Sequence, residues 1–255
     1  MEVPPLMRIP AEVRLMIFEY LFDDGGHKQL QIRNAGPGKL PKTQTRRRKR
    51  FFTLERSFQR RCYETTYRLQ TEGVNFCTSI MRVNKKIYEE TTYLLYGRHT
   101  FDFGDAIEAV EPFLSDLTPQ SRGLIREISL YKRGPVHPYN NDRGEWQRVC
   151  RFLENNGSVR KLRLVVQGGR PIATWEGPKE FTAADLKLLF DLKHESLDWV
   201  SELARVRGIE ELEILPDVQH CPPPSSTNMI IFAALSASIE RGLTEFLRTQ
   251  LCLPL

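Results

Sequence analysis

Three stretches in the second half of the chain share one spacing of apolar residues: Ile125-x-x-Ile128-x-Leu130, Val159-x-x-Leu162-x-Leu164 and Ile209-x-x-Leu212-x-Ile214. Their last two apolar positions alternate with polar ones, which is the period of a strand that buries one face. A helical pattern comes after each of them. These helices are predicted over 145–156 (Trp146, Val149, Leu153), over 182–207 in two pieces, and over 228–250. Strands that alternate with helices pair in parallel, because a parallel neighbour is reached only through a long crossover. Gly157 and Gly208 each close a helix just before a strand, and Phe181-Thr182-x-x-Asp185-Leu186 reads as a capped and stapled helix start.

The pattern is also the strand half of a leucine-rich repeat. Separations of 34 and 50 residues exceed the about 20–29 of that repeat, and no Asn or Cys occupies its ladder position. The expected fold is therefore α+β to α/β, with a degenerate leucine-rich-repeat-like region over 104–255. If the three strands leave one face open, that face carries Glu127, Ser129 and Tyr131, then Lys161, Arg163 and Val165, then Glu211, Glu213 and Leu215. Mixed charge of this kind suits a protein or peptide ligand better than an anionic polymer.

The N-terminus carries the second constraint. In Arg8-Ile9-Pro10-Ala11-Glu12-Val13-Arg14-Leu15-Met16-Ile17-Phe18-Glu19-Tyr20-Leu21, Pro10 opens a helix, since its missing N–H costs nothing there. Val13, Met16, Ile17, Tyr20 and Leu21 form one apolar stripe, and Leu15, Phe18 and Phe22 form another. A helix apolar on both sides lies between two surfaces, either both within its own fold or one of them a partner. About sixty residues later, Ile80, Val83, Ile87, Thr91 and Leu94 repeat at helical spacing, with a break near Asn84 and a stop at Gly97. Thr100–Phe103 reads as a short strand. Asp105 caps a further helix carrying Ile107, Val110, Leu114 and Leu117, which Pro112 kinks.

Between the two helices, 27–34 reads as one short strand and 35–50 as a flexible loop without apolar periodicity. From 51 to 70, Leu54, Phe58, Cys62, Thr66 and Leu69 fall at helical spacing, so a helix is expected, although Tyr63–Tyr67 alternates equally well as a strand. The segment 39–61 holds ten Lys or Arg against the single acid Glu55, so the net charge of +5 is local and the remainder of the chain is acidic. Arg46-Arg47-Arg48-Lys49-Arg50 reads as a nuclear import signal, a solvated loop without a reader, or, ranking third, a nucleic-acid contact.

The quoted N-terminal segment resembles the first helix of an F-box. "IMRVNKKIYEETTYLLYGRHTFDF" resembles the later part of the module in a group of fungal F-box-like proteins of unknown function, written roughly as LRVCRQIYEEALPLLYxxNTFxF. The resemblance implies an F-box-like helical module over 1–103, with a basic insert at about 23–76, packed on the repeat-like region. It also implies docking on the Skp-type adaptor of a cullin–RING ubiquitin ligase. Resemblance and apolar spacing together point to Ile9, Pro10, Val13, Ile17, Val83 and Ile87 as the docking residues, with an unidentified protein substrate held elsewhere.

Other classes are disfavoured. No apolar run reaches the roughly 18–20 residues of a membrane helix. Pro4, Pro5, Arg8 and Pro10 break any signal-peptide layout, so an intracellular protein of nucleus or cytoplasm is expected. Five widely spaced cysteines without a CxxC suggest neither a disulfide framework nor zinc. The Gly-Pro-Gly-Lys at 36–39 lacks the spacing of a phosphate loop, and no nucleophile elbow, HExxH or GxGxxG occurs. No metal, cofactor or catalytic set is expected.

Overall fold

The computed structural model describes residues 4–22, 29–35, 51–54, 62–70, 78–134, 142–171 and 180–253. Its strands are β1 (Gln29–Asn34), β2 (Phe51–Leu54), β3 (Cys62–Thr65), β4 (Tyr67–Leu69), β5 (Thr100–Asp102), β6 (Glu127–Lys132), β7 (Lys161–Pro171) and β8 (Glu211–Cys221). Six of them form one sheet in the order β4-β1-β5-β6-β7-β8, and β2 and β3 form a separate antiparallel ladder. Every neighbouring pair in the large sheet is parallel except β1 with β4.

The three-fold pattern is the frame of this sheet. Ile128, Leu162 and Leu212 pair across β6, β7 and β8, and so do Leu130, Leu164 and Ile214. The first row continues through Phe101 to Leu30, giving five strands one continuous apolar line. Backbone geometry repeats as well. The Arg126 carbonyl accepts from the amides of Arg160 and Lys161, and the Arg160 carbonyl accepts from those of Glu210 and Glu211. The leading residues Ile125, Val159 and Ile209 are buried just ahead of their strands.

The helices are α1 (Pro5–Arg8), α2 (Ala11–Leu21), α3 (Lys85–Arg98), α4 (Val110–Asp116), α5 (Pro119–Leu124), α6 (Arg143–Asn155), α7 (Ala183–Asp191), α8 (Asp198–Leu203), α9 (Thr227–Ala237) and α10 (Thr244–Gln250). Consecutive parallel strands joined by right-handed crossovers put their helices on one side of a sheet. The burial pattern agrees: Leu162, Leu164 and Val166 are buried, while Lys161, Arg163 and Val165 between them are only half-buried. Strands from both sides of the boundary expected at 103/104 share this sheet, and one apolar core runs from Phe18 to Leu247.

Several expectations change. Residues 51–54, 62–65 and 67–69 are strands, so at these positions strands replace the expected helix, and 55–61 lie outside the described residues. The β-branched and aromatic run Tyr63-Glu64-Thr65-Thr66-Tyr67 prefers a pleated surface, and the ladder partners of β2 and β1 are available to it. The Ile80–Leu94 pattern does break near Asn84, as expected: a 3-10 turn spans Thr78–Arg82, and Asn84 then caps α3 by accepting from the Ile87 amide at 2.9 Å. Gly97 lies inside α3, which runs on to Arg98. Ala106, not Asp105, precedes the next helical turn, and Pro112 falls in the first turn of α4, where it is tolerated without a kink.

At the β8 edge, the Glu211 amide bonds back toward β7, so odd-numbered β8 residues direct their backbone inward and even-numbered ones outward. Pro216 falls on the outward set, where it removes a donor from the sheet edge without breaking the β7 ladder.

Between α9 and α10 the chain makes a π turn over Ile239–Leu243, in which the Leu243 amide reaches the Ser238 carbonyl. Gly242 faces the backbone of Phe181, and a Cβ there would lie 2.1 Å from the Phe181 carbonyl oxygen. Gly242→Ala should therefore displace 181–182 and strain the Phe181 amide bond to Ser238 Oγ, at a cost of about 1–3 kcal/mol in urea unfolding. Full stability in that variant would refute the close approach.

Cys150, Cys221 and Cys252 are free thiols. Burial pushes the Cys150 thiol far above the ordinary range, whereas Cys252 is exposed. A maleimide pulse and peptide mapping should find Cys252 labelled in the native protein and Cys150 labelled only after unfolding.

Candidate functional site: two interaction surfaces

The first surface is built on α2. Ile9, just before Pro10, is extended, as the residue ahead of a proline prefers, and Pro10 precedes the first helical residue, Ala11. Arg14 is buried and fixes this turn. Its Nη1 donates to the Ile9 carbonyl at 2.6 Å, while Nε and Nη2 fork onto the two oxygens of Glu90 on α3 at 3.0 and 2.6 Å. At the other end of α2, Glu19 pairs with Arg98 at 2.6 Å. The buried fork thus holds one end of α2 against α3, and the more exposed Glu19–Arg98 pair spans the other end.

So oriented, α2 turns Phe18 inward, with Phe22 buried just beyond its end. Val13, Met16, Ile17 and Tyr20, spaced three, one and three residues apart, face outward, with Met16 67% and Tyr20 82% exposed. Leu21, expected on this stripe, is half-buried against the core. The described part of the fold leaves this face bare.

Of the six expected docking residues, Pro10, Val13, Ile17 and Val83 are exposed and Ile9 is half-buried. Ile87 is a correction. It is 0% exposed and belongs to the core, so it has no surface to offer a partner. It lies on the face of α3 that also buries Thr91 and Leu94, whereas Val83 precedes the Asn84 cap and is off that helix. Met16 and Tyr20 escape the sequence reading as docking residues, although they lie on the same stripe as Val13 and Ile17. Arg14 and Glu90 escape it too, and only their long-range pairing reveals them. Arg46, Arg47, Arg48, Lys49 and Arg50 lie outside the described residues.

The hydrogen bonds from Arg14 hold the Glu90 carboxyl below its ordinary range. A depressed carboxylate contributes stability that is complete above the unfolded value of about 4.3 and is lost as pH falls through the folded value. Glu90→Gln should therefore lower the thermal midpoint at neutral pH. Its deficit against the native chain should shrink below about pH 4. A deficit that is unchanged in acid would contradict this role.

The second surface is the open face of the sheet, and it carries the residues expected from the pattern. Arg163 forks onto Glu213 at 2.9 and 3.2 Å, and Lys161 sits 3.5 Å from Glu127 and 3.8 Å from Glu211. Arg33 pairs with Asp102 at 2.9 Å. Tyr131 donates to Asp217 at 2.6 Å; burial, then this carboxylate, pushes its hydroxyl well above the usual phenol range. Ser129 is buried, so it cannot meet a partner.

No catalytic constellation accompanies these surfaces among the described residues. His99 Nδ1 lies against the Leu94 and Leu95 carbonyls, and His194 accepts from the Ser196 amide. Among the described residues no group of three His, Cys, Asp or Glu is placed to hold a metal, and no helix is long and apolar enough to cross a membrane. A groove of about 420 Å³ beside α6 is lined by residues that include Glu111, Gln147, Arg148, Arg151 and Phe152, with Arg148 Nε 3.6 Å from the Glu111 carboxylate.

A family model described as a domain of unknown function, DUF7730, matches residues 3–194. The chain belongs to the DUF7730 family. No curated protein matches it, and neither does any solved structure. The DUF7730 match takes in α2, α3, their joining ion pair and the sheet as far as β7, and continues through α7. Strand β8 and the helices after it lie beyond the match, although β8 completes the open face.

Proposed function

We propose that this DUF7730 protein is a non-enzymatic interaction module, with α2 docking a helical partner and the open sheet face holding a protein substrate. By resemblance the docking partner is a Skp-type adaptor, which would make the protein a substrate receptor of a cullin–RING ubiquitin ligase. The bare stripe of Val13, Met16, Ile17 and Tyr20 carries this reading. An aromatic and a methionine side chain, nearly free of their own fold, have the composition of interface anchors. The Arg14–Glu90 fork supports it further, because it holds the stripe in place before any partner arrives.

The test is co-precipitation of the full chain with a purified Skp-type adaptor. Met16→Asp/Tyr20→Asp should keep the fold at a cost of about 1–2 kcal/mol, since both side chains are exposed and the loss comes from two Asp in the helix, one in its last turn. The same variant should abolish adaptor capture, as losing two anchors costs well over tenfold in affinity. Failure of the native chain to bind, or equal binding by the variant, refutes adaptor docking.

A further inference from the structure

The open sheet face shows an imbalance that its internal pairs do not remove. On β6–β8 it carries four carboxylates, Glu127, Glu211, Glu213 and Asp217, against two cations, Lys161 and Arg163. Arg163 is engaged by the Glu213 fork, and Lys161 is shared at long range between Glu127 and Glu211. The Glu211 side chain remains 71% exposed, so the field at this end of the face is negative.

The order along the edge strand adds a second feature. Open-face positions on β8 read Glu213, Leu215, Asp217, with Leu215 exposed and in register with Val165 and Tyr131. An apolar row therefore crosses three strands between two acidic positions. Alternate residues of a strand are spaced about 6.6–6.8 Å apart, and an extended ligand lying along β8 has the same period.

We propose that this half of the face binds an extended, basic segment of a partner protein, of the form basic-x-apolar-x-basic. Its two cations meet Glu213 with Glu211 on one side and Asp217 on the other, and its apolar side chain covers Leu215 and Val165. The proposal rests on the reading of the open face as the substrate-holding surface and gives that substrate a chemical class. It is independent of what α2 binds.

The probe is a fluorescein-labelled peptide with Lys-Ser-Leu-Ser-Lys at its centre, titrated with the full chain and monitored by anisotropy at low and at physiological ionic strength. The native chain should bind it, more weakly as salt rises. Glu211→Lys, at an exposed site, should weaken binding by at least about fivefold while leaving the thermal midpoint in place. Leu215→Ser should also weaken it, and a peptide with Glu in place of Lys should not bind.

Absence of binding by the native chain, indifference to Glu211→Lys, or equal binding of the acidic peptide overturns the proposal. So does binding that appears only after Arg46–Arg50 are replaced by serine, because the occupant is then the chain's own basic run. Met16→Asp/Tyr20→Asp should keep full peptide binding. Adaptor capture by the native chain separates the two readings: its absence with peptide binding intact refutes docking alone, and capture without peptide binding refutes only the basic-segment proposal.

Discussion

Asp142→Ala is expected to cost about 3–5 kcal/mol of folding stability, the loss typical of breaking a buried ion pair from one side. Asp142 is 1% exposed and Lys132 8%, and the Lys132 ammonium donates to Asp142 and to the Arg133 carbonyl. The second Asp142 oxygen accepts from the Arg133 amide at 3.0 Å. Trp146 and Trp199 flank the ammonium, with ring centroids 5.6 and 5.9 Å away. Removing the carboxylate strands a charge in this aromatic cleft and orphans a backbone amide. Against a total of about 5–15 kcal/mol, that is a large fraction. Urea unfolding checks it, together with the double replacement Lys132→Met/Asp142→Leu, which should recover much of the loss. If Asp142→Ala unfolds at the native urea midpoint, the pair has no structural weight.

Phe18→Ala should be comparably damaging, at about 3–5 kcal/mol, because the phenyl ring is wholly buried and its removal opens a cavity under α2. Tyr20→Ala, two residues further along the same helix, should change stability by no more than about 0.5 kcal/mol. The contrast matters for function. It separates the face of α2 that holds the fold from the face left for a partner, so that loss of binding in a Tyr20 variant cannot be attributed to unfolding. Equal losses at the two positions would mean that the Tyr20 side of α2 is covered in solution.

Much of the fold is legible in the sequence because it depends on local period. The recurrence of Ile128-x-Leu130, Leu162-x-Leu164 and Leu212-x-Ile214 fixes which side chains turn inward, and the helical spacing between them forces parallel pairing. The open-face residues come from the same alternation. Ambiguous local signal is what misleads. Residues 51–70 satisfy both helical and strand spacing, and the available ladder partners select strands. The Ile87, Thr91 and Leu94 stripe suits a docking face and a core face equally, and packing spends it on the core while Val83 stays outside, ahead of the Asn84 cap.

Other features have no local signature. Arg14 and Glu90 are 76 positions apart, and nothing in either segment marks them as partners. Likewise, nothing local marks the approach of Phe181 to Gly242 in the π turn at Ile239–Leu243.

By itself, the sequence determined the alternation of strands and helices, the apolar rows of the sheet and the presence of two apolar faces on α2, since each of these is a matter of spacing along one element. Only the tertiary structure decided which face of α2 is spent on the core. That choice goes with the packing of Phe18 and Phe22 into the core and the buried Arg14–Glu90 fork, contacts between segments remote in the chain whose geometry no local period encodes. It also decided that the first 103 residues share a sheet with the rest, because the pairing of β5 with β6 joins strands from either side of that division.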